Sequence, residues 1–255
     1  MPVMSVMPLN RAASAEFSTH DRLIFALDVE TRAQALAWVE RLGDAVSFYK
    51  LGMELLTSGE YFDVIAELAD RGKKVFVDLK FFDVPATVAA AVKGLRRHKA
   101  NFCTIHGNDA MMRAAVEVKG DLKVLAVTAL TSLDQRDLND LGFQCDAKAL
   151  VESRAKAALS CRVDGVVSSG LEASAIRAAC GEKLLIICPG IRPIANIETA
   201  LDDQKRTVDV AEAFALGADF IVVGRPIRNA PNPKMAALAM QQTIASVLKV
   251  PDKKP

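Results

Sequence analysis

Eight short apolar runs, each followed by a stretch of helical character, dominate this chain and narrow the folds open to it. The runs are Leu23–Leu27, Phe48–Leu51, Val75–Leu79, Phe102–Ile105, Val124–Thr128, Gly165–Val167, Leu184–Cys188 and Phe220–Val223. Between them lie Ala-, Leu-, Glu- and Arg-rich stretches: Arg32–Leu42, Tyr61–Arg71, Thr87–His98, Ala110–Lys119, Ala147–Cys161, Leu171–Cys180 and Asp209–Leu216. A last helix is expected after Pro233. Near-continuous apolar runs, in place of strict alternation, suit parallel strands covered on both faces. About eight strand–helix units in 255 residues, without a linker-like change of composition, predict a single-domain (β/α)8 TIM barrel. An open doubly wound sheet is the second architecture that fits. The barrel is expected over residues 21–250, between an N-terminal tail, 1–20, and a C-terminal tail, 251–255.

Composition removes several classes of function. The formal net charge is +1, without long basic or acidic runs, so nothing points to a nucleic-acid or membrane-surface partner. No apolar run approaches the roughly 18–20 residues of a membrane helix. The first residues lean apolar, but Pro2 and Pro8 interrupt them and no basic segment precedes them, which favours a loosely ordered tail over a secretory signal. The five cysteines, at 103, 145, 161, 180 and 188, form no CxxC or other metal spacing. They are expected as free thiols in a reducing, cytoplasmic setting.

In a barrel the C-terminal strand ends hold the active site. Read in order, those ends carry Asp28, Lys50, Asp78 with Lys80, His106, Thr131 with Ser132, Ser168, Pro189-Gly190-Ile191-Arg192 and Gly224-Arg225. Asp78 and Lys80 are two apart, so a strand points both to one face. With Lys50 and Asp83 they would make an alternating array of cations and anions, in which the carboxylates keep Lys80 protonated as a proton donor. The plainer alternatives are a structural ion pair for Asp78–Lys80, and for Asp83 a carboxylate stabilising the helix that begins near Pro85. Gly224-Arg225 and Gly190-Ile191-Arg192 would follow strands eight and seven, where barrels often bind phosphate; singly, each reads as a turn beside a surface arginine. His106 reads best as a satisfied structural histidine. No Ser–His–Asp relay, metal-ligand spacing, dinucleotide fingerprint or P-loop is present in the sequence. The residues by themselves point to a metal-free barrel enzyme that moves protons on a small phosphorylated substrate.

The same strand ends resemble a known family. Phe25-Ala26-Leu27-Asp28, Lys50-Leu51-Gly52, Asp78-Leu79-Lys80-Phe81-Phe82-Asp83-Val84-Pro85, Leu130-Thr131-Ser132, Pro189-Gly190-Ile191-Arg192 and Val223-Gly224-Arg225 are similar, in order, to the bacterial type of the orotidine 5′-phosphate decarboxylase family. The likeness runs from about residue 20 to about residue 245. It implies decarboxylation of orotidine 5′-monophosphate to uridine 5′-monophosphate without metal or organic cofactor. By that resemblance Lys80 protonates C6 of the pyrimidine and Asp78 faces the substrate carboxylate. Asp28 and Lys50 hold the ribose hydroxyls, and Ser132 with Thr131 meets the pyrimidine. Gln204, Arg192, Gly224 and Arg225 hold the phosphate. Asp83 and Thr87 enter the neighbouring subunit's site in a homodimer. Phe82 stands where relatives often carry histidine or asparagine, and the segment 193–203, read as a lid, is longer than in some. Two rivals remain: a sugar-phosphate decarboxylase or synthase of the same barrel type, using magnesium, and a non-catalytic nucleotide-phosphate binding protein.

Overall fold

Eight parallel strands close on themselves in chain order: β1 (Leu23–Ala26), β2 (Phe48–Leu51), β3 (Lys74–Phe81), β4 (Phe102–His106), β5 (Lys123–Val127), β6 (Gly165–Val167), β7 (Leu185–Cys188) and β8 (Phe220–Val223). This computed structural model describes residues 14–192 and 207–248. The closed barrel removes the doubly wound alternative. β1, β7 and β8 are buried at every residue, which is why their sequences show no polar alternation.

The intervening helices begin where local chemistry lets them. Thr31 caps Arg32–Leu42 by accepting from the Gln34 N–H, and Gly43 ends it at φ +56°, a left-handed position that costs glycine least. Asp146 and Asn232 cap Ala147–Ser160 and Pro233–Val247 in the same way. Pro85 opens Pro85–Leu95 at a first-turn position where its missing N–H costs nothing, so this helix starts two residues before the expected Thr87.

Two apolar layers hold the barrel. The outer one lies between strands and helices and includes Phe25, Tyr49, Val77, Cys103, Ile105, Val166 and Ile221. The inner one fills the barrel itself with Ile24, Phe48, Phe76, Phe102, Leu125, Leu185, Ile187 and Phe220. Gly165 admits a close strand-to-strand approach: a Cβ there would sit 2.6 Å from the Leu185 carbonyl oxygen and Cβ. Phe17 completes the inner layer from below, its ring 5.0 Å from Phe220 and 5.3 Å from Phe102 between centroids. Arg22 holds that segment by donating to the Ser14 and Phe17 carbonyls. Residues 14–20, expected as the end of a tail, therefore form part of the barrel floor. Burial of the Phe17 ring and the hydrogen bonds from Arg22 together favour that order against its entropic cost.

Candidate active site

Each inward-facing aromatic of β2, β3 and β4 is followed two residues later by a polar side chain. Lys50 follows Phe48, Asp78 follows Phe76 and Thr104 follows Phe102. Because strand side chains alternate faces, the polar three form a layer directly above the rings. Lys50 Nζ lies 3.0 Å from Asp28 Oδ1 and 3.6 Å from Asp78 Oδ2. Lys80 Nζ lies 2.9 Å from the same Asp78 oxygen. Asp28, Lys50, Asp78 and Lys80 are thus one continuous chain of alternating charge.

The route that brings Lys80 to Asp78 is not a regular strand. Val77 pairs with Cys103 but Phe81 pairs with Ile105, so β3 carries a bulge at this point. Lys80 adopts φ +49°, the left-handed region that non-glycine residues rarely enter. The bulge re-aims its side chain into the mouth. Thr104 stabilises the distortion from the neighbouring strand. Its hydroxyl accepts from the Lys80 N–H at 2.9 Å and donates to Asp78 Oδ1 at 2.8 Å. Thr104 is fully buried and was not among the expected site residues. The signal was present in the sequence, a hydroxyl between Phe102 and His106 at the inward positions of an apolar strand, but it lies below the strand end.

Burial alone would push the Asp78 carboxyl up. Lys50, Lys80 and the hydrogen bonds from Lys80 and Thr104 outweigh it and hold the group below its ordinary value. Burial likewise pulls Lys50 down, but the charges of Asp78 and Asp28 prevail and hold it above its ordinary value. Asp78 is therefore a carboxylate and Lys50 an ammonium across the neutral range.

These groups border a cavity of about 400 Å³ whose walls also include Thr131, Ser132, Arg192, Gly224 and Arg225. Asp28, Lys50, Asp78 and Lys80 share that cavity, so the structure brings together nine of the expected site residues. A Cβ on Gly224 would stand 3.2 Å from that of Ala26, a tight contact at the point where β8 meets β1. Asp83 and Thr87 do not line the cavity. Both are exposed, and Asp83 Oδ1 accepts from the N–H of Val84 at 2.6 Å, just ahead of the helix. Gln204 and the segment 193–203 lie outside the described residues. His106 does not line the cavity either; its ring packs tilted against Phe82, with centroids 4.4 Å apart, and its Nδ1 pairs with Asn108. Ser168 is buried beneath the mouth, within 3.5 Å of Glu172.

One charged cavity residue was not anticipated: Arg228, three positions after Arg225. A larger hollow, about 770 Å³, opens at the opposite end of the barrel around Phe17, Lys93, Arg97 and Lys123. It contains none of the strand-end residues, so size is a poor guide to the chemistry here. Among the described residues no group of three or more His, Cys, Asp or Glu side chains is arranged to hold a metal ion, and no helix is long and apolar enough to cross a membrane.

Known proteins share this sequence and shape. The family described as orotidine 5′-phosphate decarboxylase / HUMPS matches residues 21–240. An orotidine 5′-phosphate decarboxylase of Methylococcus capsulatus is 57% identical over 227 residues, covering 89% of this chain and 93% of that protein. One from Stenotrophomonas maltophilia is 58% identical over 230 residues, covering 89% and 94%. The crystal structure of the Lactobacillus acidophilus orotidine 5′-phosphate decarboxylase superposes with a TM-score of 0.77 at 33% identity, covering 88% of this chain and 99% of that one.

Proposed function

Because the chain belongs to the orotidine 5′-phosphate decarboxylase / HUMPS family, we infer that it decarboxylates orotidine 5′-monophosphate to uridine 5′-monophosphate in pyrimidine biosynthesis. It is a carboxy-lyase. The observation that carries the mechanism is the position of Lys80, held 2.9 Å from an ionised, nearly buried Asp78 at the wall of a cavity that also carries arginines.

The substrate has a carboxylate at one end and a phosphate at the other, and the cavity is lined by Asp78 and Lys80 as well as by Arg192 and Arg225. With the phosphate on Arg192, Gly224, Arg225 and Gln204, the pyrimidine carboxylate comes to Asp78. The C6–carboxylate bond breaks, carbon dioxide leaves, and the electron pair stays on C6. Lys80 then delivers its proton to C6 and regains one from water. Asp78 repels the substrate carboxylate and also fixes the ammonium where charge develops, and the second effect is assigned the larger share. Asp28 and Lys50 bind the ribose hydroxyls, and Thr131 and Ser132 the pyrimidine edge. Neither a metal nor an organic cofactor enters these steps.

Asp83 and Thr87 are assigned to the site of a second copy in a homodimer. The support is their exposure beside Phe82 and Val84, each 62% exposed, an apolar surface that a partner would cover. A cytoplasmic location is supported by the free thiols of Cys103, Cys145, Cys161, Cys180 and Cys188.

The test is the loss of ultraviolet absorbance of orotidine 5′-monophosphate with the purified protein in EDTA. Turnover undiminished by the chelator is expected. Absence of turnover would sink the reading, and turnover that returned only with magnesium would favour the sugar-phosphate rival. A non-catalytic binding protein would bind uridine 5′-monophosphate and leave the substrate intact.

A further inference from the structure

Arg228 ends the single helical turn Arg225–Arg228 that follows β8. Residues three apart on a turn lie on one side, so Arg228 shares the cavity wall with Arg225. Its guanidinium crosses to β1, where Nη2 donates to the carbonyl of Ala26 at 3.2 Å. Its Nε is buried and has no hydrogen-bond partner among the described residues. No carboxylate among them lies within ion-pair distance of it, whereas Lys50 and Lys80 are both paired with Asp78.

A strand brace explains only the Nη2 contact. A neutral donor would hold one carbonyl equally well, without a half-buried charge that lacks a counter-charge and a buried N–H that lacks an acceptor. An anion in the cavity would supply the missing counter-charge. Among the described residues, five cations (Lys50, Lys80, Arg192, Arg225 and Arg228) and two carboxylates (Asp28 and Asp78) line it, a net charge of +3. Orotidine 5′-monophosphate brings one carboxylate and a phosphate of roughly two negative charges near neutral pH. Without Arg228 the balance falls one charge short.

We propose that Arg228 is a further arginine of the phosphate-binding end of the cavity, donating to the substrate phosphate while its Nη2 stays on Ala26. The proposal rests on the orotidine 5′-monophosphate reading above. A guanidinium fixed by one donor keeps its other N–H groups in a rigid plane, the geometry that suits phosphate oxygens.

The test compares orotidine 5′-monophosphate with orotidine, which has the same base and ribose but no phosphate, in the wild type, R228Q and R228K. For R228Q, KM for the phosphorylated substrate should rise about 10- to 100-fold, the worth of a charge-assisted hydrogen bond, while kcat falls less. Inhibition by inorganic phosphate should weaken by a comparable factor. The loss of kcat/KM on orotidine should be much the smaller, and R228K should recover part of the phosphate-dependent loss. Equal losses on both substrates, or R228K no better than R228Q, would reduce Arg228 to a brace of β1. An unaltered KM in R228Q would overturn the proposal outright. Failure of the wild type on orotidine 5′-monophosphate would be visible separately and would remove the parent reading along with this one.

Discussion

Phe48, Phe76 and Phe102 fill the lower barrel, and Lys50, Asp78 and Thr104 stand two residues farther along the same strands and on the same inward side. The lower layer is apolar and ring-packed: Phe102 lies 4.9 Å from Phe48, 5.2 Å from Phe220 and 5.9 Å from Phe76 between centroids. The upper layer is charged and hydrogen-bonded. One strand geometry therefore presents two environments about 7 Å apart, since each pair of residues advances a strand by that distance. The lower layer should set stability and the upper one turnover. Exchanging a ring of the lower layer should then leave turnover nearly untouched, and that separation can be broken experimentally.

The largest effect is expected in the upper layer. Lys80→Ala should lower kcat about 10²- to 10⁴-fold, the usual worth of a positioned proton donor, while calorimetry still detects uridine 5′-monophosphate binding. A near-normal rate would remove Lys80 from its role. The same variant probes the proposed sharing of Asp83 across a homodimer. Mixed with Asp83→Ala, it should form heterodimers that contain one intact site, and activity should return in part. Heterodimers shown to form yet wholly inactive would place Asp83 elsewhere.

Next comes the lower layer. Phe102→Ala deletes the ring at the centre of the inner aromatic cluster and should cost about 3–5 kcal/mol of stability in urea unfolding. Turnover per folded molecule should stay near wild type. A fall in kcat comparable to that of Lys80→Ala would show that the two layers are not separable.

Thr104 belongs to the upper layer but also supports the β3 bulge, so its replacement should register in both measurements. Thr104→Val keeps the shape but leaves the Lys80 N–H and Asp78 Oδ1 each short of a partner, costing about 1–3 kcal/mol. Misplacement of Lys80 should lower kcat about 10- to 100-fold with KM little changed. Thr104→Ser restores the hydroxyl and should restore most of the rate. A purely structural role for the threonine would move stability without moving kcat.

How much of this was legible in the sequence differs between the layers for physical reasons. The strands were legible because parallel strands buried on both faces need near-continuous apolar runs, and the runs at Phe48–Leu51, Gly165–Val167 and Phe220–Val223 match the observed strands residue for residue. The charged mouth was legible because unpaired ions are seldom buried, so Asp78 and Lys80 stood out. The bulge was not legible: a regular strand and a bulged one both bring residues 78 and 80 together, and only the pairing to β4 distinguishes them. Thr104 was hidden because one hydroxyl in an apolar strand is ordinary until its partners are known. Phe17 was hidden because a single ring in a polar segment has no periodicity. Arg228 was hidden because a four-residue turn after Gly224 leaves no pattern from which its direction could be read.

The smallest effect expected is in acid, and it compares the layers through one carboxylate each. Asp78 is held below its ordinary 3.8 by Lys50, Lys80 and Thr104 against the opposing effect of burial. On the outer rim of the floor, Asp21 is held below the same value, again against burial, by Lys74, Ser18 and Ser47. Between each lowered value and 3.8 the unfolded chain binds more protons than the folded one, so stability rises with pH through that window. Each contribution is complete above about 3.8 and disappears as pH falls through the lowered value. Lys50, held above 10.5, gives the mouth the opposite limit: its contribution is complete below 10.5 and disappears as pH rises through the higher value. Asp21→Asn should therefore be less stable than wild type at pH 7, and the gap should narrow as unfolding is measured toward pH 3. Asp78→Asn should narrow in the same way. Only Asp78→Asn should also lose turnover at pH 7, because Asp21 takes no part in the mouth. A gap that stayed constant with pH for Asp21→Asn would mean that its stabilising effect comes from hydrogen-bond geometry common to both amino acids and not from charge.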